Sequence, residues 1–236
     1  MNIKLLSLEL RKCSIKPYVI AMIASSIIMI CFIYLMTAVP RIDVNDSDVE
    51  LLSSYSFVIG LTLVVSMGIF SIMSAVMSAR FIVDEYVGKR AILILSYPIK
   101  RAEMIMTKAT LVFLLTLTSM VLCGGIALSM FMITESLFKL GSDSIDTHLI
   151  ESSILYLLGY SIIASCCGVI SGGIGLKRSS AISAIVSACI LVVVICQIAG
   201  MTLFASELLI AVLLLMIIAT VWTCHRMIHI VDNMEI

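Results

Sequence analysis

Three histidines and eight cysteines are the residues of this chain best suited to hold a metal, and their spacing does not make a site. His225 and His229 stand one helical turn apart beside Cys224, which puts both imidazoles on one face. No further histidine completes a tetrahedral set, and placement near a helix C-terminus explains the pair as well. No two cysteines form a CxxC pair. Cys31, Cys123, Cys166, Cys167, Cys189 and Cys196 lie inside apolar runs, with Cys13 and Cys224 at their edges, and are read as small packing residues. No metal site is expected.

Other chemistries fail on the same test of residue type and position. The stretch Gly175-Leu176-Lys177-Arg178-Ser179-Ser180 has the composition of a phosphate-binding loop without the GxxxxGK[ST] spacing, and it follows an apolar run instead of a strand. This chain is therefore expected to bind no nucleotide and no cofactor of its own. An intramembrane hydrolase needs HExxH, paired aspartates, or a serine and histidine at one depth. The remaining histidine, His148, sits between runs, so no catalytic residue is assigned. An ion-coupled pump places acids or histidines at membrane depth, whereas the nearest acids here, Glu151 and Glu207, border their runs.

The elements that would carry any site are six stretches without Asp, Glu, Lys, Arg or His: 17–39, 51–79, 109–134, 152–176, 179–206 and 208–224. About 20 apolar residues cross a bilayer as a helix. A hydrophobic fraction of 61% and a mean hydropathy of +1.20 exceed what the interior of a 236-residue soluble domain can hide. The expected fold is an all-α membrane protein, one domain over 1–236 with six spanning helices. The first run is too long for a signal-peptide core and is expected to be retained.

Six spans put both termini on one side. That side carries thirteen of the fifteen Lys and Arg residues and six of the acids; the other carries Arg41, Lys139 and nine acids, giving formal charges of +7 and −7. The positive-inside rule makes the first side cytoplasmic. Its basic excess also suits anionic lipid headgroups.

Within this frame, residues 3–16 place Ile3, Leu6, Leu10 and Cys13 on one stripe and Lys4, Ser7, Arg11 and Ser14 on another, as in a helix lying in the headgroup plane. The longest cytoplasmic connection, 80–108, reads helix, turn, helix. Glu85 and Lys89 can pair at i,i+4, Ala91 to Leu95 is apolar, and Pro98 fixes a turn. In the fourth run Ser161, Ser165, Gly168 and Gly172 repeat every three or four residues, followed by Gly173 and Gly175. Such small residues let backbones approach in lipid, so Gly168, Gly172 and Gly173 are expected at a helix contact or a gate. The second run is similar, with Gly60, Gly68, Ser71, Ser74, Ala75 and Ser78.

The connection carries Glu85, Gly88 and Lys89, then Leu93 and Leu95, then Ser96-Tyr97-Pro98-Ile99-Lys100-Arg101, and finally Lys108. In this order, within six spans and after an amphipathic N-terminal helix, the chain resembles the ABC-2 type permeases, the membrane subunits of a class of ABC exporters. Lys89 stands where that family has Thr, and Lys100 where it has Ser. The small size and absence of an external domain resemble the permeases of antimicrobial-peptide export and self-immunity systems.

The resemblance implies a multi-pass protein of the bacterial cytoplasmic membrane. It implies a coupling helix between spans two and three that docks on cytoplasmic ATPase subunits through Asp84, Glu85, Gly88, Lys89 and Arg90. ATP and Mg would be held by those partners. It also implies a second permease copy or a homologous permease, contact with membrane lipid, and an amphipathic substrate, with no role for nucleic acid. Re-entrant helices between spans five and six are common in the family; here the chain departs from it, since Gly200 to Glu207 leaves little room outside the membrane, and whether part of Cys196 to Leu208 dips back in stays open. Two readings from other classes share the six spans: a substrate-binding membrane subunit of an importer, and a membrane scaffold or regulator that transports nothing.

Overall fold

Each apolar run corresponds to one long helix. The computed structural model describes residues 16–42, 54–86, 101–138 and 147–232, and these are helical except at short turns. Helix α1 is Lys16–Ile42 and α2 is Tyr55–Ser78, which continues through a π-helical turn, Ala79–Val83, into Asp84–Tyr86. Then come α3, Arg101–Phe138, α4, Thr147–Lys177, α5, Ala181–Thr202, and α6, Ser206–Asp232. All six are long and apolar enough to cross a membrane. The expected interfacial helix over 3–16 falls, apart from Lys16, outside the described residues. So do Gly88, Lys89, Arg90 and the Pro98 turn.

Helices α3, α4 and α6 outrun their uncharged stretches, whereas α5, Ala181–Thr202, falls within 179–206. Helix α3 has 38 residues and starts at Arg101, not at 109, and ends at Phe138, not at 134. It is roughly 57 Å long at the usual rise, against ~30 Å of hydrocarbon. Helix α4 begins at Thr147 instead of 152 and α6 continues to Asp232 instead of stopping at 224. Hydropathy marks where charge begins, whereas backbone hydrogen bonding continues through any residue that tolerates helix. Between α5 and α6 only Leu203, Phe204 and Ala205 intervene, closed by Leu203 N–H to Gly200 O and Phe204 N–H to Met201 O. The stretch from Cys196 to Leu208 therefore holds the end of α5, this turn and the start of α6, with no separate re-entrant helix.

Helices α2 and α4 form the centre, with α1, α3, α5 and α6 around them. In their most apolar windows α4 is 67% buried and α2 61%, but α6 only 11%. The outer helices turn Ile20, Ile27, Ile190, Val193, Leu215 and Ile218 outward. Such a surface is unsuited to water and suited to lipid. Small residues let the two central helices meet. A Cβ on Gly168 would stand 2.5 Å from Ser74 Cβ, and one on Gly172 2.9 Å from Ser78 Cβ. Ser78 Oγ crosses that contact to donate to Gly168 O at 2.6 Å.

Candidate functional site

The polar groups of α2 converge on one stripe at the end of the bundle that holds the α2–α3 connection. Ser74, Ser78, Phe81 and Glu85 recur every three or four residues, so they share a helix face. Each meets a partner. Thr116 Oγ1 of α3 donates to Ser74 Oγ at 2.8 Å, Ser78 bonds the Gly168 carbonyl, and Lys108 Nζ donates to the Phe81 carbonyl at 3.3 Å and to Glu85 Oε2.

Lys108 is the centre of this arrangement. Only 2% of it is exposed, and Glu85 is 14% exposed. A buried ammonium is costly unless paired and hydrogen-bonded. Here it has a carboxylate, a backbone carbonyl, and the face of Tyr86 with its centroid 5.9 Å away. The Phe81 carbonyl lies within the π turn, where the Asp84 N–H reaches back to Ala79 O. Single π turns are frequent at functional sites. The pair ties the end of α2 to α3 across residues 87–100.

Sequence reasoning set Lys108 and Glu135 outside the apolar runs, at the rims. The structure places both inside the bundle. Glu135 is 3% exposed in the last turn of α3, at the end opposite Lys108, and accepts a hydrogen bond from Tyr55 Oη of α2. Phe131 packs edge-on to Tyr55 with centroids 5.8 Å apart. Tyr34 Oη and Thr134 Oγ1 are 2.6 Å apart, joining α1 to α3 beside it. The signal available in the sequence was position: each lies next to a run, within reach of a helix that extends past it.

The remaining candidates fall as follows. Asp84 is exposed, while Glu85 turns inward to Lys108. Gly168 and Gly172 face α2, and Gly173 faces α6, where an added Cβ would meet Thr223 Cγ2 and lie 3.4 Å from Met227 Sδ. The stretch Gly175 to Ser180 is the capped end of α4. Ser180 N–H donates to Gly175 O and Ser179 N–H to Leu176 O, both at 3.1 Å, with Ser179 at φ 49°. These paired bonds are a Schellman ending, which consumes its N–H groups on carbonyls instead of presenting them to phosphate. Among the described residues no group of three His, Cys, Asp or Glu side chains is placed to hold a metal.

No family model, curated protein or solved structure matches the chain.

Proposed function

We propose that this chain is the membrane-spanning permease subunit of an ATP-driven ABC exporter of the ABC-2 type, moving an amphipathic or antimicrobial peptide out of the cell or the bilayer. The observation that carries the reading is the Glu85–Lys108 clamp. Both clamp residues belong to the proposed coupling connection, 80–108: Glu85 lies two positions before residue 87, and Lys108 lies about two turns into α3. A push on that segment by an ATPase would be delivered to α2 and α3 together, because Lys108 holds both the Glu85 carboxylate and the Phe81 carbonyl. Helix α2 would pass the movement to α4 across a contact of Ser and Gly residues, where little side-chain bulk resists sliding.

In this reading the end with the clamp is cytoplasmic. Asp84, exposed at the mouth of the segment, joins Gly88, Lys89 and Arg90 in meeting the ATPase, while Glu85 holds the clamp. The outward apolar faces of α1, α5 and α6 meet lipid and a second permease.

The test is co-purification of the full chain with its ATPase, followed by peptide-stimulated ATP hydrolysis in vesicles. Asp84→Lys combined with Lys89→Glu should weaken association and stimulation, leaving the helical bundle intact. Association unchanged by that pair would remove the docking role. A complex that binds peptide yet accumulates it inside cells would favour the importer subunit, and binding without any ATPase would favour the scaffold.

A further inference from the structure

Helices α4 and α6 run side by side toward the clamp end and leave a cleft of about 120 Å³ between them. Gly173 lets the helices approach, and Ile170 and Ile174 give the cleft an apolar floor. Trp222 forms one wall, with the Arg226 guanidinium 5.1 Å from its ring centroid. Lys177 closes the end beyond Arg226.

These two cations differ from Lys108. Among the described residues neither has a carboxylate partner. The carbonyls of Ile174, Gly175 and Leu176 are taken by the N–H groups of Arg178, Ser180 and Ser179, and the exposed Lys177 lines the cleft. Among the described residues no acidic side chain lines the cleft. An apolar trough with two uncompensated cations at its wet end, beside a tryptophan, matches an anionic amphiphile in shape and charge. We propose that this cleft binds one anionic phospholipid, its phosphate held between Lys177 and Arg226 and an acyl chain lying over Ile170 and Gly173 against Trp222. A zwitterionic lipid brings its own cation to the same place and loses the advantage. The inference needs only the spanning helices and stands apart from the transport reading.

Trp222 is the only tryptophan in the chain, which makes the cleft self-reporting. The full chain, reconstituted with phosphatidylglycerol or phosphatidylcholine carrying brominated acyl chains, should show Trp222 quenching that favours the anionic lipid roughly fivefold in relative affinity. Lys177→Gln with Arg226→Gln should bring the ratio near one, Lys177→Arg with Arg226→Lys should keep it, and Arg178→Gln, exposed next door but outside the cleft, should leave it unchanged. Taking the ratio within each variant cancels any direct effect of Arg226 on the fluorescence. Equal quenching by the two lipids in the unaltered chain would overturn the proposal, as would a preference surviving the double glutamine variant in protein of unchanged helicity. Millimolar glycerol 3-phosphate should leave the preference in place, because the acyl chain contributes to binding; its abolition would overturn the proposed seating of the chain against Trp222.

Discussion

Lys108 of α3 lies 23 positions from Glu85 in sequence and forms a buried ion pair with it at the foot of α2. The pair joins the helical turn that ends at Tyr86 to α3. Both partners also touch the π turn, Lys108 through the Phe81 carbonyl and Glu85 by lying just beyond it. A charge that hydropathy assigns to the membrane rim is thereby a structural bolt inside the bundle.

Breaking that bolt on one side should cost far more than removing it whole. Lys108→Met or Glu85→Leu alone leaves a buried charge and should destabilise the bundle by about 3–5 kcal/mol, whereas the two together should recover most of the loss. A double-mutant cycle in detergent unfolding measures this, and additive single losses would contradict the pairing.

Glycine at the α2–α4 contact should be intolerant of a single methyl. Gly168→Ala drives its Cβ to 2.5 Å from Ser74 Cβ and 3.2 Å from the Ser74 backbone carbon, so α2 and α4 must separate. In contrast, a Cβ on Gly125 meets nothing within 4 Å, and Gly125→Ala should be neutral or stabilising by ~0.5–1 kcal/mol through helix propensity. Thermal unfolding of the two variants side by side decides it; equal behaviour would refute the close approach.

At the opposite end, Tyr55→Phe removes the hydroxyl that donates to buried Glu135. The expected loss is about 1–3 kcal/mol, the penalty for leaving a buried acceptor without its donor, read by thermal unfolding in detergent; unchanged stability would refute the bond.

The grouping of thirteen of the fifteen basic residues predicts that their side is cytoplasmic. In a cysteine-free chain, single cysteines at Ser47 and Ser144 should react with an impermeant thiol reagent applied to intact cells, and one at Ala91 should not. Labelling at Ala91 would reverse the assignment of the clamp end to the cytoplasm.

The six spanning helices were determined by the sequence alone, because hydration of charge is so costly to lose that uncharged runs of this length declare themselves. The small-residue spacing of α4 was equally plain in Gly168, Gly172 and Gly173. Which neighbour each glycine faces was decided by the tertiary structure: two meet α2 and one meets α6, a difference set by rotation about the helix axis and by the choice of neighbour. Lys108 and Glu135 could not be placed from their positions in sequence, since burial of a charge depends on a partner from another helix. Glu85 and Tyr55, both contributed by α2, supply those partners only after folding. The cleft beside Trp222 has the same origin, because Lys177 and Arg226 lie far apart in the chain and become neighbours only when α4 and α6 pack side by side.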